Sequence, residues 1–140
     1  MPTIYINSGV MSVPSRRAIA VRLTRWFADR SVRPGHVVVR FGEDAANTVF
    51  SGGMPVDALH HSPDGLAQAT VLCCVSPDRD EQFRRELATE LAAALGMTEQ
   101  TPFLHIEFRP TEPSLVYLAS NGELTRADQV ASVVVRGESS

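Results

Sequence analysis

Apolar and polar positions alternate in two registers along this chain, and the registers repeat in the same order twice. Thr3–Ser8 reads as a strand around the run Ile4-Tyr5-Ile6. Ser12 and Pro14 then read as the start of a helix, with Ser12 as cap and proline tolerated in the first turn. That helix runs to about Arg30. Ile19, Leu23, Trp26 and Phe27 form one apolar stripe at helical spacing, and Arg16, Arg17, Arg22 and Arg25 occupy the remaining, solvated surface. Arg33-Pro34-Gly35 stops the helix, and His36–Phe41, rich in valine, reads as a second strand.

The region from Gly42 to Leu66 has no sustained period. Val49-Phe50 is a short extended piece, and Gly52-Gly53 marks a turn or bulge. A second cycle follows. Ala69–Val75 is an apolar strand. Ser76-Pro77-Asp78 predicts a helix start, with Ser76 as cap and Pro77 at the first position. Phe83, Leu87, Leu91 and Leu95 recur every four residues, Gly96 ends the helix, and Phe103–Phe108 follows Pro102 as a strand. The tail predicts a turn at Pro110–Pro113 and a short strand within Ser114–Ala119, suited to a neighbouring chain's edge. A helical turn is expected over Leu124–Val130, a last strand at Val133–Val135 and a frayed end over Gly137–Ser140.

The doubled strand–helix–strand pattern is an internal repeat over residues 2–53 and 68–119, with a tail at 120–140. It predicts an α/β (α+β) fold in one domain spanning residues 1–140. Each unit makes a right-handed crossover between parallel strands, and the two units together give a four-stranded mixed sheet with both helices on one face. The other face is expected to be apolar and to need a cover, which association with further copies supplies most simply.

Composition adds few constraints. The chain is 44% hydrophobic and 21% charged, with a net charge of −3, so it offers no broad basic field for nucleic acid or an anionic membrane. No apolar run approaches the ~20 residues of a membrane span, and no signal peptide is evident. Cys73 and Cys74 are adjacent and point to opposite faces of a strand, which argues against a disulfide between them and fits a cytoplasmic setting. His60-His61 lacks partners at ligand spacing, so no metal is expected.

The remaining chemistry lies at the beginning. Pro2 follows the initiator methionine, whose removal leaves a secondary amine fixed at the head of a strand. An α-amino group ordinarily titrates near pH ~8. Apolar walls and nearby cations disfavour its charged form and leave a base that works near neutrality.

Pro2, the doubled β-α-β units and the Phe50-Ser51-Gly52-Gly53 turn together resemble the tautomerase superfamily over most of the chain, from Pro2 to about Ala119. In the first half, Pro2, Val13-Pro14 and Arg33-Pro34 are similar to macrophage migration inhibitory factor. Val39-Arg40-Phe41 and Asn47–Gly53 look more like cis-3-chloroacrylic acid dehalogenase. The resemblance implies a trimeric fold with sites between subunits, an N-terminal proline acting as base or acid, no cofactor, and small α-keto or enol carboxylic acids as substrates.

Carried over residue by residue, it implies catalytic roles for Pro2, Arg79 and Glu107. Arg79 would fork onto a substrate carboxylate; an exposed helix arginine is the alternative, as its repeat counterpart Arg16 illustrates. Glu107 would polarise water or hold the amine, or else face solvent. The resemblance further implies substrate-binding roles for Arg33, Phe50 and Tyr117. Tyr117 stands where the dehalogenase has a catalytic glutamate, and Phe27 stands near that enzyme's helix histidine. The paired arginines of the dehalogenase and of malonate semialdehyde decarboxylase reduce here to Arg79, with Pro77 in the other slot. Water activation is thereby weakened, so the pattern favours enol–keto tautomerisation. A related hydratase, dehalogenase or decarboxylase is the first alternative, and a non-catalytic trimeric interaction protein the second.

Overall fold

Alternation in Thr3–Ser8 puts Ile4 and Ile6 on one side, and both side chains are completely buried. In the computed structural model, which describes residues 2–129, this segment is strand β1. It is followed by helix α1 (Val13–Ala28), strand β2 (Val38–Glu43) and a small hairpin of β3 (Phe50–Ser51) and β4 (Met54–Pro55). Strand β5 (Gln68–Val75), helix α2 (Glu81–Leu95), strand β6 (Phe103–Pro110) and a second hairpin of β7 (Tyr117–Ser120) and β8 (Glu123–Arg126) complete the order. The main sheet runs β2-β1-β5-β6. Strands β1 and β2 are parallel, β5 and β6 are parallel, and β1 meets β5 antiparallel. Two β-α-β units therefore lie side by side in one mixed sheet, as the repeat predicts.

Both helices cover the same face. The α1 stripe Ile19, Leu23, Trp26 and Phe27 is buried, and so are Leu87, Leu91 and Leu95 of α2. They pack with Ile4, Ile6, Val71 and Cys73 in one core. The Cys73 thiol is pushed up to about 12, chiefly by burial and then by neighbouring Cys74, so it stays protonated. Trp26, Phe27 and Phe83 stack edge-on where the end of α1 meets the start of α2, with centroids 5.0 Å apart for Trp26–Phe27 and 5.2 Å for Trp26–Phe83. The arginine surface of α1 is not simply solvated: Arg22 pairs with Glu90 and Arg30 with Glu86, both on α2.

Four expectations need correction. Helix α2 starts at Glu81 with Asp80 as its cap, not at Pro77 with Ser76; the Asp80 carboxylate accepts the Phe83 N–H at 2.9 Å. Ser76–Arg79 instead closes a turn through the Arg79 N–H to the Ser76 carbonyl at 3.2 Å, with Pro77 at the position that favours its fixed φ. Strand β2 begins at Val38 rather than His36, because Pro34–His36 forms a 3-10 turn first. Glu123–Arg126 is a strand, not part of a helical turn. Asn121-Gly122, at φ 51° and 78°, forms the tight turn that pairs Tyr117 with Arg126. Helical geometry starts only at Ala127 and is described to residue 129.

The fourth correction concerns the uncovered sheet face, which is mixed rather than apolar. Arg40 lies over the Tyr5 ring at 5.6 Å, and Glu107 pairs with Arg109 at 3.1 Å. The expected strand at Val133–Val135 and the end at Gly137–Ser140 lie outside the described residues. Among those described, no helix is long and apolar enough to cross a membrane.

The two helix starts and the buried thiol yield two tests. Asp80→Ala should lower stability by about 1 kcal/mol in denaturant unfolding, whereas Ser76→Ala should stay within about 0.5 kcal/mol of the parent. Equal losses would return the cap to Ser76. Cys73 should resist a thiol-selective disulfide reagent in the native protein and react once unfolded, as peptide mass mapping would show.

Candidate active site

The strand pairings decide which residues meet. The start of β1 and the start of β2 lie at the same sheet end as the finish of β5 and of β6, since Thr3 pairs with Val38 and Cys74, and Val75 with Pro110. Pro2 heads β1 at that end and is buried. Having no N–H after its ring closes, proline contributes only its carbonyl to the ladder, which accepts the Val38 N–H at 3.1 Å. β1 is paired on both sides, so Pro2 is held between the loop that leads into β2 and the turn that leaves β5.

On the β5 side, Pro2 lines a small cavity of ≈ 20 Å³ with Phe27, Val75, Ser76, Arg79 and Phe83. That is room for about one water. Phe27 and Phe83 belong to the aromatic cluster between the helices, so Pro2 lies against rings rather than bulk solvent. Arg79 is half-buried, with its guanidinium carbon 4.6 Å from the Phe83 ring centre. The ring face holds the cation in place without neutralising it. Its own backbone carbonyl accepts from Arg84 at 2.6 Å, which fixes the turn. Among the described residues Arg79 has no carboxylate partner, so its fork is available to an anion.

On the β2 side, Arg33, Pro34, Gly35 and His36 face Leu118, Ala119 and Ser120 of β7 across a cleft of ≈ 290 Å³. His36 is half-buried. Its imidazole is held below the usual histidine range, first by burial, then by the positive charge at the chain's amino terminus and by Arg33. Sequence reading takes His36 as the first residue of a strand and misses it. The signal available was Pro34-Gly35, which makes a turn as plausible as a strand start.

The structure thus brings Pro2 and Arg79 into one cavity and sets Arg33 in the adjoining cleft. Tyr117 is on the hairpin that walls that cleft but does not line it; its side chain is exposed. Phe50 and Glu107 do not meet Pro2 within one chain. Phe50 is exposed on the β3–β4 hairpin, which follows the far end of β2. The six residues of β1 alone separate the two ends by roughly 20 Å. Glu107 pairs with Leu72 on β5 and projects from the uncovered sheet face, where its carboxylate holds Arg109.

No family model and no curated protein matches this sequence. Solved structures do. R7 fused 4-OT wild type, an asymmetric trimer, superposes with a TM-score of 0.62 at 16% identity, over 92% of this chain and 98% of that one. N1, a member of the cis-3-chloroacrylic acid dehalogenase family, gives 0.62 at 16% identity over 94% and 90%. FG41 malonate semialdehyde decarboxylase inhibited by 3-bromopropiolate gives 0.63 at 14% identity over 94% and 96%. Two tandem β-α-β units in a β2-β1-β5-β6 mixed sheet give this chain the fold of those structures.

Proposed function

We propose that this protein is a cofactor-independent keto–enol tautomerase, an isomerase of small enol or α-keto carboxylic acids that works through the amine of Pro2. The observation that carries this reading is the shared cavity of Pro2 and Arg79. A base and a carboxylate-binding fork stand together, walled by two phenylalanine rings. Removal of Met1 frees the secondary amine. Burial and the nearby guanidinium both act against its protonation, so a neutral amine is available near pH 7.

The chemistry needs nothing more elaborate. Arg79 holds the substrate carboxylate through two parallel N–H donors. The neutral amine takes the proton from the enol oxygen, or from the carbon beside the ketone, and returns it elsewhere on the conjugated acid. Phe27 and Phe83 exclude water while the amine carries the proton. In this proposal the protein acts as a homotrimer, which accounts for Phe50, Glu107 and Tyr117. Each lies away from Pro2 in its own chain and would reach a site through the neighbouring subunit. The asymmetric trimer of R7 fused 4-OT, which shares this fold, supports that assembly. Sedimentation equilibrium at three times the chain mass is the expected result.

With Met1 removed, as intact mass would verify, the protein should ketonise phenylenolpyruvate. Pro2→Ala should lower kcat/KM by at least about 10²-fold, and Arg79→Gln should lower it by about 10- to 100-fold, mostly through KM. The pH–rate profile should carry a limb near neutrality rather than near pH ~8. Undiminished turnover in Pro2→Ala would end the proposal. Release of halide from a 3-haloacrylate, or of carbon dioxide from a 3-oxo acid, without ketonisation would move the protein to the dehalogenase or decarboxylase branch.

A further inference from the structure

The cavity shared by Pro2 and Arg79 accommodates about one water, which is space for a carboxylate oxygen but not for a whole acid. The body of a substrate needs a second space, and the cleft of ≈ 290 Å³ on the other side of Pro2 supplies one. The two spaces share no lining residue, and they flank the head of β1, where the Val38 N–H donates to the Pro2 carbonyl at 3.1 Å. That bond ties the Pro34–His36 turn to the head of β1.

Inside the cleft, the groups able to bind an oxygen are few. Leu118 and Ala119 are apolar, Ser120 closes the wall, and Arg33 lines the cleft together with His36. His36 lies opposite them on a turn braced at both ends: its N–H donates to the Arg33 carbonyl at 2.9 Å, and the Val37 N–H to that of Pro34 at 3.1 Å. A ring on a braced turn has little freedom to lose on binding.

We propose that the imidazole of His36 binds the enol or keto oxygen of the substrate, donating an N–H to it while Pro2 moves the proton. This role rests on the tautomerase reading above. In the step, the enol O–H bond breaks and its proton goes to the Pro2 nitrogen. The oxygen's electron pair forms the C=O bond, and the former C=C pair takes the proton back from the prolinium at carbon. The amine is neutral again, nothing is oxidised or reduced, and His36 keeps its own proton throughout.

A neutral imidazole suits this task. It donates one N–H to an oxygen on which negative charge develops, without first losing a hydration shell as a cation would. Burial, and after it Arg33, hold the His36 imidazole below the usual histidine range even when the amine of Pro2 is neutral. The hairpin side offers no titrating group among the residues that line the cleft.

The test needs no turnover. With ¹⁵N-labelled histidine, the ring nitrogens of His36 should shift on saturation with phenylpyruvate, and stay in place with 3-phenylpropionate, which has the carboxylate but no keto oxygen. Equal response to both acids, or to neither, overturns the proposal. In kinetics with phenylenolpyruvate, His36→Leu should lose about 10²-fold in kcat with KM within about twofold. His36→Gln, which keeps an N–H donor, should recover at least about tenfold of that loss. If His36→Leu does not fold, the His36→Gln rate and the nitrogen shifts of the unaltered protein decide the matter. A protein that shows the keto-selective shift yet ketonises no enol would sink the tautomerase reading alone. A protein that ketonises with His36 unmoved would sink this one alone.

Discussion

The central strand β1 is hydrogen-bonded on both edges, and everything at the candidate site depends on that. A residue so near the start of a chain is ordinarily among the least constrained. Here the Pro2 carbonyl is tied to Val38 and its neighbour Thr3 is registered against both Val38 and Cys74. Ile4 and Ile6, completely buried beneath the helices, keep the strand from sliding. A one-residue slip would exchange them for Thr3, Tyr5 and Asn7 and place polar groups in the core. The same hydrophobic register that makes the sheet therefore fixes a nitrogen in space.

The two helices build the walls at that point. Phe27 is on the last turn of α1 and Phe83 on the first turn of α2, and Trp26 touches both rings. Arg30 then covers the outer side of Trp26 at 3.6 Å. An aromatic cluster at a helix–helix junction commonly serves stability alone. This one also sets the dielectric around Pro2 and gives Arg79 a ring face to rest on. The ion pairs farther along the helices, Arg22–Glu90 and Arg30–Glu86, are partly exposed and contribute at most about 1 kcal/mol each. Their role is to orient two helices that apolar packing already holds.

The site is asymmetric although the fold is a repeat. Arg16 stands on the first turn of α1, whereas Arg79 stands in the turn that precedes α2. Arg79 is joined by Pro2, because β1 starts where β5 ends. Arg16 is at the other end of the sheet, where no chain terminus arrives, and stacks on Phe41 instead. The antiparallel meeting of β1 and β5 thus brings Arg79 beside Pro2, while Arg16 packs on Phe41.

Much of this architecture is legible in the sequence. Alternation in Thr3–Ser8, the stripe Ile19–Leu23–Trp26–Phe27 and the run Phe83–Leu87–Leu91–Leu95 each reflect burial on one face, and burial is what local periodicity reports. Pro2 at the head of β1 and Arg79 after β5 are visible as residue types. Local signals were misread where two of them competed. Ser76-Pro77 satisfies the pattern for a helix start, but the chain uses it for a turn and caps the helix with Asp80. Asn121-Gly122 marks a hairpin more strongly than Leu124 and its neighbours mark a helix. What only the tertiary structure decided is proximity: that Pro2 and Arg79 share a cavity, that His36 stands in the adjoining cleft, and that Phe50 and Glu107 do not join them in one chain. Those distances follow from strand order and direction, β1 parallel to β2 but antiparallel to β5. Such long-range pairings depend on the free energy of the whole assembled sheet, and no local window of residues contains it.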